Sequence, residues 1–477
     1  MKSRFITIIF MVAFWPVCMQ AQRTNSGSKP NIILIVADDL GYGDLGCYGQ
    51  QKIRTPHIDA LAAEGMKFTQ FYSGTSVCAP SRASLMTGLH TGHTAVRGNR
   101  GFQPEGQFPL PEGTTTFPKL LQEVGYHTAA FGKWGLGYPE STGVPENQGF
   151  EEFYGYLCQS EAHNYYPDHV WHNGTRIEWP FNIGRDSLYS GDVIHQKTLD
   201  FINAPHDQPY FLFLPYTLPH GDLDVPRDSV YENYVKQFNE QPVPKPVKPR
   251  NAHDRYEPFP HAAFAAMVAR LDRYVGEIRR QVKLSGQENN TLIIFTSDNG
   301  PHREDGGDPE FFNSSGGYRG IKRDLYEGGI RVPMIASWKK TIKPGITHQT
   351  AAFWDFFPTF LDLAGLPFNQ PIDGVSFVPT LLGKGKQAQH SVFYWEFHEN
   401  NGRQAVRMGK WKGVQYKVSL EQPDAIELYD LEKDPFEKTN IAARYPEVVM
   451  GIKEVFKNEH RYNKDWPLLF REASVSK

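Results

Sequence analysis

Two stretches of the chain bring oxygen ligands to the place where an apolar run stops. Asn31 to Val36 is a short, β-branched, apolar run that ends at Ala37-Asp38-Asp39, and Thr291 to Thr296 is another that ends at Ser297-Asp298-Asn299. Three carboxylates and one amide with no cysteine cluster beside them suit a hard divalent ion such as Ca²⁺, or Mg²⁺, better than zinc. Acidic caps and turn residues explain either pair alone. The recurrence at two strand ends favours one shared ion. A third stretch reads Cys78-Ala79-Pro80-Ser81-Arg82-Ala83-Ser84-Leu85-Met86-Thr87-Gly88. An ordinary cysteine there has a pKa near ~8.5 and is a few per cent thiolate at neutral pH. A turn leading into a short helix accounts for Pro80 and Gly88, and for nothing else in the stretch.

A fourth stretch runs Ala162-His163-Asn164-Tyr165-Tyr166-Pro167-Asp168-His169-Val170-Trp171-His172. Its aromatic rings and hydrogen-bonding side chains suit stacking on a sugar and orienting it. His163, Tyr166, Asp168 and His169 are the contact candidates. His302, just after the second acidic pair, joins them with Arg303 because the strand end brings both towards the ion. A zinc site of His163, Asp168, His169 and His172 is the rival reading, but its spacing follows no short zinc motif. A purely structural aromatic loop is the plainer one.

These residues need a frame. Tyr210 to Leu214 is a third apolar run, leading through Pro215 to His220, and Val332 to Ser337 is a fourth. Continuous apolar strands suit the buried centre of a parallel sheet. Helices are expected over Thr55 to Ala63, with Thr55 as N-cap, Thr116 to Val124, Gly191 to Asn203, and about His261 to Leu284. In the last, Phe264, Met267, Val268, Leu271, Val275, Ile278 and Val282 recur at helical spacing, as a core-facing stripe does. Alternating strands and helices predict a doubly wound α/β domain with a mixed sheet between helices, in which ligands gather beyond the carboxyl ends of the strands. The proline-rich stretch from Gln241 to Pro249 reads as a surface loop. Beyond Gly365 the runs shorten: Val392 to Phe397, Ala405 to Met408, Trp411 to Gln415 and Glu427 to Asp430 predict a small antiparallel C-terminal unit. The expected organisation is a signal over residues 1–21, a catalytic domain over 30–365 and a C-terminal subdomain over 366–477.

With 50 basic and 53 acidic residues in 477, the net charge of −3 gives no global field to attract nucleic acid or an anionic membrane. An anionic substrate must be met by a few placed cations. Met1-Lys2-Ser3-Arg4 followed by the apolar Phe5 to Val17 has the form of a secretory signal, with Met19-Gln20-Ala21 as its cleavage site. Export to the periplasm or beyond the cell is expected. Cys18 raises a lipoprotein reading, which Trp15-Pro16-Val17 before it does not favour. No later run is long enough to span a membrane as a helix. Removing the signal leaves Cys47, Cys78 and Cys158, an odd number for an oxidising compartment. A Cys47–Cys158 bridge stays open.

From about Pro30 to Asn440 the chain resembles the type I, formylglycine-dependent sulfatases of the alkaline phosphatase superfamily. The Cys-x-Pro-Ser-Arg…Thr-Gly pattern at Cys78 matches their signature without a gap. The resemblance implies that a maturation enzyme converts Cys78 to formylglycine, whose hydrate offers two geminal hydroxyls, one to attack sulfur and one to expel the sulfate later. It implies calcium bound by Asp38, Asp39, Asp298, Asn299 and position 78. Arg82 matches the motif arginine and would steady the alkoxide. Lys133, in Gly132-Lys133-Trp134, and Lys322, ahead of Tyr326-Glu327-Gly328-Gly329, match sulfate-binding lysines. His220 matches the histidine that gives the leaving oxygen a proton. The family usually follows Gly-Lys-Trp with a histidine, and here the residue is Gly135. The base for the second step is thereby left open, with His90 and His93 as neighbours of Cys78 in sequence. Gly132-Lys133-Trp134-Gly135, Asn147-Gln148-Gly149-Phe150 and His163-Asn164-Tyr165-Tyr166-Pro167 resemble bacterial carbohydrate sulfatases acting on galactose or N-acetylgalactosamine. A sulfated glycan, of host or algal origin, is the implied substrate. A phosphate or phosphonate monoester hydrolase of the same superfamily, and a glycan-binding protein whose cysteine is never converted, are the competing readings.

Overall fold

The computed structural model of the chain describes residues 29–245 and 256–473. The expected signal segment lies outside them, as does the end of the proline-rich stretch. The larger sheet contains β1 (Asn31–Ala37), β2 (Met66–Tyr72), β3 (His127–Lys133), β4 (Glu152–Tyr156), β5 (His169–His172), β6 (Thr175–Glu178), β7 (Tyr210–Pro215), β8 (Thr291–Ser297), β9 (Arg331–Ser337), β10 (Gly345–Thr347) and β11 (Ala351–Ala352). Its order is β10-β2-β9-β8-β1-β7-β3-β4-β5-β6, with β11 beside β2.

β1 lies at the centre, parallel to β7 on one side and β8 on the other. Its alternate residues pass to opposite faces: Ile33 and Ile35 enter one apolar core, Ile32 and Leu34 the other. All four have no exposed surface. Truncating one of them to alanine should cost about 2–5 kcal/mol. Helices cover both faces. Ser190–Asn203 and Pro260–Leu284 supply Ile194, Phe264, Leu271 and Val275 to the first core. Cys78–Thr87 and Phe356–Ala364 supply Ala79, Ala83, Met86 and Phe357 to the second.

The run ending at Ser337 is buried as expected, but β9 lies antiparallel to both β8 and β2. Apolar continuity reports burial on two faces and says nothing of direction, so the sheet is mixed. Thr55 stands at the N-cap of Pro56–Glu64, yet its hydroxyl does not cap the helix. It donates to Asp59 Oδ1 at 3.0 Å, while Asp272 of the long helix accepts the N–H groups of His57 and Ile58.

A second sheet runs β12 (Phe393–Phe397), β13 (Arg403–Met408), β14 (Trp411–Tyr416), β15 (Glu427–Asp430), all antiparallel. Phe393, Trp395 and Val414 of this sheet pack with Tyr72, Val77 and Ile330, so one apolar cluster joins it to the loop before Cys78. Cys47, Cys78 and Cys158 are all free thiols; no Cys47–Cys158 bridge is present. Among the described residues no helix is long and apolar enough to cross a membrane.

Candidate active site

Four neighbouring strands end at one place. β1 delivers Asp38 and Asp39, β8 delivers Asp298 and Asn299, β3 ends on Lys133, and β7 leads through Pro215 to His220. Asp38, Asp39, Asp298 and Asn299 have no exposed surface. Cys78 begins its ten-residue helix, so the nucleophile position faces the positive end of the helix dipole. One ligand atom each from Asp38, Asp39, Cys78 and His220 lie within 4.8 Å of one another.

Cations thread between the carboxylates. Lys133 Nζ donates to Asp38 Oδ2 at 2.6 Å and lies 3.7 Å from Cys78 Sγ. Arg82 donates to Asp298 Oδ2 through Nε at 3.1 Å and Nη2 at 2.9 Å, and also to the Lys133 carbonyl. Lys322 Nζ donates to Asp39 Oδ2 at 2.7 Å, to Glu304 Oε2 at 2.8 Å and to His220 Nε2 at 3.0 Å. The Cys78 thiol donates to Asp38 Oδ1 at 3.4 Å. Burial, reinforced by the Asp38 charge, pushes that thiol well above its ordinary pKa. It is poorly suited to ionise and attack as a thiolate. Burial would raise the Asp38 carboxyl too, but Lys133 and Arg82 outweigh it and hold Asp38 at about 2. Burial and the Asp38 charge raise Asp298.

The donor set fits a hard cation. Asn299 Nδ2 donates to Asp39 Oδ1 at 2.6 Å, while Asn299 Oδ1 is buried with no hydrogen-bond partner. An orphaned amide oxygen beside three buried carboxylates is what an oxygen-seeking divalent ion would complete.

His220 is fixed by its neighbours. Nδ1 faces the Gly221 carbonyl, which only accepts, so Nδ1 carries the hydrogen. Nε2 then holds the lone pair that accepts from Lys322, with Asp39 Oδ2 3.3 Å away. Burial, then His163 and Lys322, keep the ring neutral, well below its ordinary pKa. The His163 ring stacks on it at 3.9 Å between centroids.

The other expected contacts divide. His302 lies 5.7 Å from the His220 ring, with Nε2 3.3 Å from the Pro219 carbonyl and Nδ1 accepting the Glu304 N–H at 3.0 Å. Backbone groups therefore occupy both its nitrogens, and its ring lies nearly parallel to that of His220. Arg303 points to Glu310. Tyr166 is buried and packs its ring edge-on against Tyr189. Asp168 and His169 form a separate polar cluster: His169 Nδ1 is 2.6 Å from Asp168 Oδ1 and Nε2 is 2.9 Å from Glu105 Oε2. Trp171 Nε1 donates to the same Glu105 at 2.9 Å. Burial opposes charge on His169, but Glu105 and Asp168 outweigh it and raise its pKa to about 9. His90 and His93 stack on each other and bond Asp373 and Glu459, in a group apart from Cys78. Being near in sequence did not make them near in space.

Three residues of the site carried no sequence signal strong enough to single them out. Glu304 follows His302 by two positions and could have been found as an extension of the second acidic end. Glu105 lies 64 residues from His169, in a loop with no periodicity. Gln159 precedes the aromatic segment by three positions and looked like an ordinary polar residue.

The comparisons agree with this geometry. Residues 30–366 match the Sulfatase family model, and residues 318–461 match one described as N-sulphoglucosamine sulphohydrolase, C-terminal. Arylsulfatase A of Homo sapiens is 33% identical, over 89% of this chain and 87% of its own length. The N-acetylgalactosamine-6-O-sulfatase of Bacteroides thetaiotaomicron is 29% identical, over 96% of this chain and 98% of its own. The crystal structure of Ps i-CgsB in complex with a neocarrahexaose superimposes with a TM-score of 0.76 at 28% identity, covering 94% of this chain and 96% of that one. With its strand-end carboxylates, its cysteine at a helix start and its matched length, the chain belongs to the sulfatase family and is a sulfuric ester hydrolase.

Proposed function

We propose that the protein removes sulfate from O-sulfated galactose or N-acetylgalactosamine units of glycans, using formylglycine made from Cys78 by a maturation enzyme. The observation that carries this is the convergence of Asp38, Asp39, Cys78 and His220 within 4.8 Å, threaded by Lys133, Arg82 and Lys322. Burial and the Asp38 charge, which raise the Cys78 pKa, disfavour a thiolate mechanism.

Asp38, Asp39, Asp298 and Asn299 are the residues that would hold calcium, with magnesium as the alternative. When bound, the ion supplies positive charge beside the oxygen carried at position 78. Lys133 and Lys322 bind sulfate oxygens as point charges, and Arg82 holds Asp298 in place while adding charge. His220 delivers the proton to the departing sugar oxygen through Nε2, where Lys322 feeds it. Such help is worth roughly 10²–10⁴-fold for a poor leaving group. Of the residues expected on the sugar side, Asp168 and His169, with Glu105 added, offer the polar contacts, and His163 lies against His220. Tyr166 and His302 would act through their ring faces, since backbone groups hold both His302 nitrogens.

The division at 365/366 and export after removal of residues 1–21 belong to the same reading. The galacto preference rests on the N-acetylgalactosamine sulfatases among the relatives and on the polar cluster around His169. The test is kcat/KM on sulfated galactose, N-acetylgalactosamine and N-acetylglucosamine, beside matched phosphate esters. Preference for the gluco sugar would remove the specificity reading, and preference for phosphate would remove the sulfatase mechanism.

A further inference from the structure

Gln159 opens the short helix Gln159–Ala162, and His163 is its C-cap. A spacing of four puts the two side chains on one helix face. His163 shows where that face looks. Its ring stacks on His220 at 3.9 Å, and His220 belongs to the group that includes Cys78 Sγ. Each side chain brings a buried nitrogen with no hydrogen-bond partner: Gln159 Nε2 and His163 Nε2. Leaving such an atom unpaired costs about 1–3 kcal/mol, a cost that a ligand in the site would remove.

Gly135 makes room for the amide. It lies in the left-handed region at φ 80°, and a Cβ there would fall 2.8 Å from Gln159 Nε2. Lys133, two residues earlier, reaches to 3.7 Å from Cys78 Sγ. The amide therefore fills the space that a side chain at position 135 would take.

The proposed reaction needs a second proton transfer, after the sugar has left. His220 serves the first transfer, with Nδ1 held on the Gly221 carbonyl and Nε2 supplied with its proton by Lys322. Resting on the reading above, we infer that His163 is the base that releases sulfate from position 78, on a helix face it shares with Gln159. His163 Nε2 accepts the proton of the geminal hydroxyl that carries no sulfate. The electron pair of that O–H bond becomes the second bond of the aldehyde C=O, the carbon–oxygen bond to sulfate breaks, and sulfate leaves with its electrons. Water then adds to the aldehyde to restore the diol, and His163 passes its proton to solvent.

The test uses full-length protein produced with a maturation enzyme, as wild type, His163→Asn and Gln159→Leu. Rapid-quench kinetics follow the freed sugar, and intact mass follows the protein. The inference predicts a burst of one sugar per enzyme in His163→Asn, then turnover slower by about 10²-fold or more, with a protein species heavier by one sulfate. Gln159→Leu should show a smaller accumulation of the same species. A merely structural or sugar-binding role would slow the burst and the steady state together. If His163→Asn has no burst and no sulfated species, or keeps wild-type turnover, the inference is wrong. If wild type turns over without an aldehyde at position 78, the underlying reading is what failed.

Discussion

The charged centre and the polar cluster around His169 are built by opposite means. Asp38, Asp298 and Lys133 follow or end rigid central strands and are fully buried. Glu105, Asp168 and Arg176 come from loops and edge strands, and the Asp168 and Arg176 side chains are nearly half exposed. Strand ends in the sheet interior hold charges where they cannot relax, which suits chemistry that must meet developing charge without reorganisation. Loop-borne groups at the sheet edge can change without disturbing that frame, which suits recognition of one glycan among many.

The contrast is broken most severely at the centre. Asp298→Ala should lower turnover by on the order of 10³-fold, since several kcal/mol of charge stabilisation are lost. Bound divalent metal, measured by elemental mass spectrometry, should fall with it, and chelation of the wild type should reproduce the loss. Undiminished metal content in an inactive variant would separate Asp298 from the ion.

His220→Ala sharpens the comparison by dividing the chemistry. Loss on a sulfated sugar should reach roughly 10²–10⁴-fold, and loss on an aryl sulfate with an acidic phenol should be far smaller. Equal losses on both would deny His220 the role of acid.

At the outer cluster the expected effect is on selection. Asp168→Ala should reduce galacto over gluco discrimination by about 1–3 kcal/mol, because the sugar hydroxyl loses a hydrogen-bonding partner. Metal content should stay at the wild-type level. A variant that matches wild type on every sugar would move recognition elsewhere.

The smallest effect is on stability. The folded-state pKa of His169 is about 9, above the ordinary 6.5. Its contribution is therefore complete below about pH 6.5 and is lost as pH rises through about 9. Melting temperature followed over that window should fall in the wild type, and the fall should be shallower in Glu105→Gln, which removes a partner of the charge. Identical slopes would show that the cluster is not an ion pair.

Much of the centre was legible because secondary structure sets it. An apolar run that stops at an acidic pair places its carboxylates beyond a strand end whatever the rest of the chain does, so Asp38, Asp39, Asp298 and Asn299 could be grouped before any geometry was known. The antiparallel course of β9 could not, since burial on both faces looks alike in either direction. Glu105 escaped because a tertiary contact, rather than any spacing, brings it to His169. His90 and His93 misled for the converse reason: the helix Cys78–Thr87 carries the chain away from Cys78 before they are reached. His302 was placed near the centre by its strand, but the use of both ring nitrogens by backbone groups depends on the turn that follows.

The most direct test of the account is peptide mass spectrometry across residue 78, on protein made with and without a maturation enzyme, with turnover of a sulfated N-acetylgalactosamine measured on the same samples. The account predicts that the fraction carrying the aldehyde rises with co-production of the enzyme and that turnover rises in proportion. Fully active protein with an unchanged Cys78 would contradict it.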